Sequence, residues 1–234
     1  MEKIIYALGR HSDETSATFE RRLREETVGK LSALATEICL HLRDDAVQGG
    51  TSPIIPAGAH IDAVLQLWVD CASDGPRAPL DAILNAAANK VEAWLVCESV
   101  PLDGGPIEAD GVRQAGFSQL ASLTKPADLT WDVWRNRWQE HHTAVAIETQ
   151  SKFHYAQNVV VRPLIDGSRQ INAINEEAFP IEALINEAIY FDGADDPLRF
   201  ASNEARMMES CATFIDFSAI ACFPTSRYDW GQTQ

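Results

Sequence analysis

Apolar and polar residues alternate along the chain with two periods, and the order of these periods predicts its elements. After an apolar run typical of a buried strand, residues 16–35 carry Phe19 and Leu23 at the spacing of an amphipathic helix. Residues 37–44 alternate with period two, so the apolar side chains beginning with Ile38 face one way. The first half is predicted as strand, helix, strand, strand, helix and strand at 2–10, 16–35, 37–44, 60–70, 79–91 and 91–100. The second half is predicted as the same order at 116–124, 130–149, 151–164, 171–179, 181–212 and 213–224.

Three pairs of segments, one member from each half, resemble each other in the same order. The pairs are 2–10 with 116–125, 19–28 with 133–143, and 61–68 with 171–179. A shared order at a spacing of about 110 residues indicates a duplicated unit. Each unit is predicted to be a ferredoxin-like βαββαβ fold of the α+β class, with helices on one face of an antiparallel sheet. The units are placed at 1–105 and 113–234, and their sheets are expected to pack face to face.

Short motifs in the second half carry a resemblance to a known family. Trp138 is followed one helical turn later by His142, and the segment Tyr155-Ala-Gln-Asn158 comes soon after. Together with the matching third strands of both halves, these motifs resemble the EthD-like family of the dimeric α/β-barrel superfamily. The resemblance implies a tandem member, in which one chain supplies both halves of an intramolecular α/β barrel. It also implies a cavity between helices and sheet, a small-molecule substrate, and no metal or organic cofactor.

Two adjacent histidines lie on the helix predicted at 130–149. Trp134, Trp138 and His142 are each four residues apart and therefore share a helix face, which His141 borders. The family resemblance selects His142 as the general acid and base, because a histidine with a pKa of about 6.5 exchanges protons at neutral pH. The tryptophans and His141 are predicted to bind an aromatic substrate. The alternative is that both histidines are ordinary packing residues.

Further candidates lie on the strands after this helix. Strand alternation sends Glu176 and Glu177 to opposite faces, so one carboxylate must point into the protein. Glu176 is predicted to orient the catalytic histidine or to act as a base, and Tyr155 to donate a hydrogen bond to a substrate oxygen. The alternative is a solvated glutamate pair and a core tyrosine. The candidate substrate-binding residues on the same strand as the tyrosine are Asn158 and Arg162.

Composition excludes several classes of partner. The 234 residues carry a formal net charge of −15 without a basic stripe, which disfavours nucleic acid and anionic membranes. No apolar run reaches the roughly 18 residues of a membrane span, and the N-terminus does not resemble a signal peptide. The five cysteines are scattered, without zinc-finger spacing, which indicates buried free thiols, no metal site and a cytoplasmic location.

These observations together predict a cofactor-independent small-molecule enzyme. His142, Glu176 and Tyr155 are expected to carry out proton transfer, of lyase, dehydratase or isomerase type, on an aromatic, lactone or polyketide-like metabolite. In the first half, Leu23 and Thr27 replace the tryptophan and histidine of the second half, so the site is expected in the second half. The alternatives are a cofactor-free monooxygenase and a non-catalytic binding or pathway-accessory protein. A homodimer is compatible with the sequence.

Overall fold

The computed structural model describes residues 1–50, 54, 60–105, 107, 108 and 110–231. The strands in these residues are β1 Glu2–Gly9, β2 Glu37–Leu42, β3 Ala63–Val69, β4 Lys90–Leu102, β5 Phe117–Leu123, β6 His154–Pro163, β7 Ala173–Phe179 and β8 Ala221–Trp230. The α-helices are α1 Ser16–Arg22, α2 Val28–Leu31, α3 Asp74–Ala87, α4 Trp131–Arg135, α5 Thr143–Thr149, α6 Glu187–Tyr190 and α7 Pro197–Ala212. Within this part of the chain, no helix is both long and apolar enough to pass through a bilayer.

The strands form one closed antiparallel barrel in the order β1-β3-β2-β8-β5-β7-β6-β4. Two seams join strands from opposite halves of the sequence. Leu40 of β2 lies opposite Tyr228 of β8 in one seam, and Cys97 of β4 lies opposite Val159 of β6 in the other. Because the sheet closes on itself, strands that would form exposed edges obtain backbone partners across the seams.

The predicted fold class, two tandem ferredoxin-like units forming an intramolecular dimeric-type α/β barrel, is wrong. The observed architecture is a single closed eight-stranded antiparallel barrel with few helices, all outside the barrel wall. Separate sheets packed face to face would leave β2 and β4 as edges, whereas both are hydrogen-bonded to strands of the other half. The division of the chain into 1–105 and 113–234 stays a prediction.

Strand alternation gives the barrel wall two buried faces. On the outside of the N-terminal strands, Tyr6 and Leu65 pack with Phe19 and Leu23 beneath the helices. The interior contains a separate apolar cluster, which includes Ile5, Val64, Trp94, Ile174 and Phe223. Burial of each large apolar side chain contributes about 1.5–3 kcal/mol, so both faces of the wall stabilise the fold.

A nearly continuous helical segment covers the C-terminal part of the barrel. The Thr130 side chain accepts a hydrogen bond from the Val133 backbone N–H and so caps the N-terminus of α4. The segment passes through a π-helical stretch, Asn136–His142, before α5. Trp134 and Trp138 are fully buried against the outer face of the wall, and this packing fixes the helix above β5 and β7.

The turn before β5 requires glycine. Gly116 has φ of 74°, and a Cβ at this position would lie 2.0 Å from the backbone oxygen of Phe179. We expect Gly116→Ala to lower the free energy of unfolding by about 2–4 kcal/mol, because left-handed strain adds to a backbone clash. Gly29→Ala is the control, since a Cβ on exposed Gly29 of α2 meets nothing within 4 Å. Urea unfolding followed by circular dichroism measures both, and an unchanged midpoint for Gly116→Ala would contradict the strain argument.

Candidate active site

Adjacent glutamates on β7 are buried on opposite sides of the barrel wall. Glu176 is 2% exposed and lies in the barrel interior, where its carboxylate accepts hydrogen bonds from Arg227 at 2.8 Å and Gln66 at 2.7 Å. Burial alone would raise the pKa of Glu176, but the positive charge of Arg227 and the nearby His41 ring outweigh it and hold this pKa well below its ordinary value. Glu177, 6% exposed, lies outside the wall beneath the C-terminal helices.

Glu177 belongs to a group of polar side chains enclosed between the outer face of the barrel and the helices. Lys152 Nζ donates to Glu177 Oε1 at 2.6 Å, and Nζ also lies 4.4 Å from the centroid of the Tyr155 ring. The Tyr155 hydroxyl accepts from the amides of Gln157 at 3.0 Å and Asn175 at 3.3 Å. We call this group the helix-side cluster; its members are Gln119, Lys152, Tyr155, Gln157, Asn175, Glu177 and Tyr190.

Tyr190 of α6 extends the helix-side cluster under the helices. The Gln119 amide donates to the Tyr190 hydroxyl at 3.0 Å and lies 3.4 Å from Glu177 Oε2. The Tyr190 ring also stacks on Phe179, with centroids 4.5 Å apart. Gln119 thus connects the Tyr190 hydroxyl to the Glu177 carboxylate.

Burial sets the protonation states in the helix-side cluster. Desolvation lowers the pKa of Lys152, while the Glu177 carboxylate acts in the opposite direction. Desolvation raises the pKa of Tyr155, and the negative charge of Glu177 raises it further. The pKa of Tyr190 lies well above its ordinary value for the same two reasons. Both hydroxyls therefore remain protonated at neutral pH and can donate hydrogen bonds.

Several buried polar atoms around this cluster have no protein partner. Within the described residues, they include Trp138 Nε1, Gln150 Oε1, Ser151 Oγ and Asn175 Oδ1. The Gln150 side chain lies beside the Tyr190 hydroxyl, and the Trp138 indole lies beside that of Tyr155 without a hydrogen bond of normal geometry. Because buried polar groups in native proteins are nearly always satisfied, these atoms indicate a place for water or a ligand.

His142 borders the same region but is tightly packed. It is 3% exposed, its Nδ1 lies 2.9 Å from Ser210 Oγ, and its ring centroid is 4.6 Å from that of Phe214. Burial, assisted by the positive charge of Lys152, lowers the pKa of His142 to about 3. The imidazole is therefore neutral at pH 7 and can only accept or donate hydrogen bonds there.

The structure brings some of the predicted site residues together and separates others. Trp138, His142 and Tyr155 share the helix side, and the Trp134 ring contacts the Trp138 ring at an interplanar angle of 37°, with centroids 5.0 Å apart. Glu176 lies across the wall from them, in the interior. Asn158 is also buried inside, with its amide donating to the Ile174 carbonyl, whereas the residues exposed on the surface are His141 and Arg162.

The sequence interpretation missed Lys152 and Glu177, the charged centre of the helix-side cluster. A usable signal was present, because Tyr155 on β6 lies directly opposite Glu177 on β7 and directly opposed residues share a face. Pairing the two predicted strands would therefore have selected Glu177, and not Glu176, as the carboxylate on the tyrosine side.

Fold and site define a closed antiparallel barrel with a buried polar cluster under its outer helices. No family model matches the sequence, and no curated protein matches it. A solved structure described as an anthrone oxidase-like protein matches 100% of this chain and 94% of its own, with a TM-score of 0.54 and 8% identity. At that identity the likeness shows the fold alone. The EthD-like resemblance is thus supported neither by a family model nor by a sequence match.

The depressed pKa of His142 makes stability depend on pH. An unfolded chain, whose histidine has a pKa of about 6.5, binds a proton below that pH, whereas the folded chain does so only near pH 3. Stability is therefore complete above the unfolded pKa and falls as pH decreases. Relative to His142→Gln, we expect the wild type to lose about 2 kcal/mol more on going from about pH 7.5 to about pH 5.0.

Urea unfolding at the two pH values measures this difference. Exposed His141 provides the matched control, and His141→Gln should keep the wild-type pH dependence. If His142→Gln and the wild type lose the same stability on acidification, the imidazole is not held neutral by burial.

Proposed function

We propose that the chain is a small-molecule enzyme that removes a proton from a carbon acid in the helix-side cluster. The observation that carries the proposal is the buried Lys152–Glu177 pair, which stands beside two protonated tyrosines and several unpartnered polar atoms. Ion pairs that serve only stability are seldom this deeply buried, because desolvation of both charges offsets most of their attraction. A pair placed among free hydrogen-bonding groups is well suited to chemistry.

The proposed step uses both charges of the pair. The Glu177 carboxylate takes the proton from a carbon next to, or conjugated with, a carbonyl group. The C–H bond breaks, and its electron pair moves onto the carbonyl oxygen. The Lys152 ammonium and the Tyr155 hydroxyl stabilise the oxyanion, and their effect is large because water is excluded. The Asn175 amide supports this arrangement by holding the Tyr155 oxygen.

In this proposal the base is Glu177, whereas the sequence interpretation gave that role to His142 with Glu176 assisting. An imidazole with a pKa of about 3 is neutral at pH 7 and is too weak a base to hold the proton taken from the substrate. His142 instead supports the site by packing against Phe214 and by its contact with Ser210.

The equivalent region of the N-terminal half argues for a single site of this kind. In the matched strands, Leu65 and Leu67 of β3 take the places of Asn175 and Glu177 of β7. Both leucines are buried in the apolar cluster beneath the N-terminal helices. At these two strand positions, polar side chains are therefore found in the C-terminal half alone, as expected of a binding site that only one half carries.

An aromatic ketone of the anthrone type fits the proposal best. Trp134 and Trp138 supply apolar aromatic surface beside the cluster, and the structural neighbour is described as anthrone oxidase-like. Anthrone is itself a carbon acid, since its methylene carbon is conjugated with the carbonyl through both rings. Because the cluster is buried, entry of a three-ring molecule requires the covering helices to move away from the barrel.

An oxygenase reaction that begins with the same proton transfer is the second candidate, and the description of the neighbour favours it. The anthrone carbanion is electron-rich enough to react with dioxygen directly. Both methylene hydrogens leave, one oxygen atom becomes the new carbonyl, and the other leaves as water. The products are one anthraquinone and one water for each dioxygen consumed.

Anthrone itself is the probe that separates these reactions. Under nitrogen in deuterated buffer, we expect the protein to accelerate exchange of the methylene hydrogens, measured by NMR. Under air, dioxygen uptake with anthraquinone formation identifies the oxygenase, and exchange without uptake identifies proton transfer alone. Saturable binding of anthrone without exchange above the buffer rate would mean a binding protein and would contradict the enzyme.

Substitution of the pair tests the assigned roles. We expect Glu177→Gln to lower the exchange rate about 10²–10⁴-fold, the usual contribution of a positioned base. Because removing one partner of a buried pair costs about 3–5 kcal/mol of stability, the double variant Glu177→Gln/Lys152→Met should also be measured, since it leaves no unpaired charge. The control is Glu14→Gln, which breaks an ion pair with Arg22 in the other half. A folded double variant with wild-type exchange would rule out the pair.

A further inference from the structure

A second polar group lies on the other side of the wall, inside the barrel. Cys39 and His41 of β2 alternate onto the interior face, and Gln66 of β3 and Glu176 of β7 lie against them; we call these four residues the barrel-interior cluster. Cys39 Sγ is 3.2 Å from His41 Nε2, and His41 Nε2 is 3.5 Å from Glu176 Oε2. All four side chains are almost completely buried.

We propose that the barrel-interior cluster binds a divalent transition-metal ion of the zinc type. Cys39 Sγ, His41 Nε2 and Glu176 Oε2 are the ligands, and the Gln66 amide oxygen completes the set. The three ligand atoms lie within 4.8 Å of one another. A tetrahedral ion with bonds of about 2.0–2.3 Å has ligands about 3.4 Å apart. The distances from His41 Nε2 to Cys39 Sγ, 3.2 Å, and to Glu176 Oε2, 3.5 Å, are close to that value. The argument is independent of the proposed function, because the helix-side cluster lies across the sheet.

The hydrogen bonds of His41 leave the correct ring nitrogen available. The Thr225 hydroxyl donates its hydrogen to the Ser118 carbonyl at 2.8 Å, so it can only accept from His41 Nδ1, 3.1 Å away. Nδ1 therefore carries a hydrogen, and Nε2, which faces Cys39 and Glu176, is the nitrogen placed to accept from the Gln66 amide through its lone pair. Metal-bound histidines show this same arrangement, with the outer nitrogen donating to a neighbouring acceptor.

Gln66 supplies the observation that points to a ligand. Its Nε2 lies 2.9 Å from His41 Nε2 and 2.7 Å from Glu176 Oε2, while its Oε1 is buried without a partner. The Gln66 amide hydrogens therefore occupy the position in which a cation would be bound by the lone pairs of His41 Nε2 and Glu176 Oε2. Rotation of the amide by half a turn exchanges its oxygen and nitrogen with little change of shape, and then directs Oε1 toward an ion in that position.

The charges around the barrel-interior cluster also balance. A divalent ion is neutralised by the Cys39 thiolate and the Glu176 carboxylate. Arg227 holds the other Glu176 oxygen at 2.8 Å and is itself paired with Asp229 at 3.0 Å, so that pair adds no net charge. The ion can enter from the barrel mouth, where a cavity of about 80 Å³ is lined by Ser118 and Arg227. Binding would tie β2 of one half to β7 of the other.

Cobalt titration of the chelator-treated full chain tests the site. Tetrahedral Co²⁺ with a thiolate ligand gives visible d–d bands and a near-ultraviolet charge-transfer band. We expect one equivalent to produce both in the wild type, Cys39→Ser to abolish the charge-transfer band, and Glu176→Gln to weaken binding at least about 10-fold. Zn²⁺ should displace the cobalt and raise the melting temperature of the wild type.

The matched control is Cys97→Ser, which removes an exposed thiol and should retain both bands. If the wild type gives no charge-transfer band, the proposal is overturned even when the Cys39 variant fails to fold. A band that survives in folded Cys39→Ser also overturns it, because another cysteine must then be the ligand.

Discussion

Closure of the sheet is the constraint from which the rest of the structure follows. When β2 pairs with β8 and β4 pairs with β6, the wall has an inside that is sealed from water and an outside that helices cover. Every second residue must then suit the interior, and the residues between them must suit the space under the helices. This is why β7 is buried at every position along its length.

Because both faces of the wall are sealed from water, a charged strand residue destabilises the fold unless it is paired. Glu176 and Glu177 are neighbours in sequence, yet each has its own cation, Arg227 inside and Lys152 outside. The backbone of β7 separates two carboxylates that would otherwise repel each other. The unpartnered atoms around both glutamates show that pairing is incomplete, and incomplete pairing in a sealed space is what a ligand or an ion can relieve.

Much of the element order was accessible from the sequence, but its closure was not. Period-two alternation identifies β2 by Ile38 and its neighbours, and helical spacing identifies the segment that carries Trp138. Neither pattern specifies which strands meet, because seam pairing such as Leu40 with Tyr228 depends on residues far apart in the chain.

The same limit applies to the prediction of the site. Alternation correctly separated the two glutamates, but only the pairing of β6 with β7 shows which of them lies on the tyrosine side. A histidine at ordinary pKa was the natural choice for proton transfer, and its burial could not be read from one helix.

The matched strands of the two halves differ in which of their two faces carries polar side chains. At the interior position, Gln66 of β3 corresponds to Glu176 of β7, and the two side chains meet at 2.7 Å in the barrel. At the neighbouring exterior position, Leu67 corresponds to Glu177. The interior therefore keeps polar character in both halves, as a feature that ties them together requires. At this exterior position, the N-terminal helices cover a leucine of the apolar core, while the C-terminal helices cover a charged group with unpartnered polar atoms around it. The half that carries the candidate chemistry is thus the half in which a buried carboxylate replaces a core leucine beneath the covering helices.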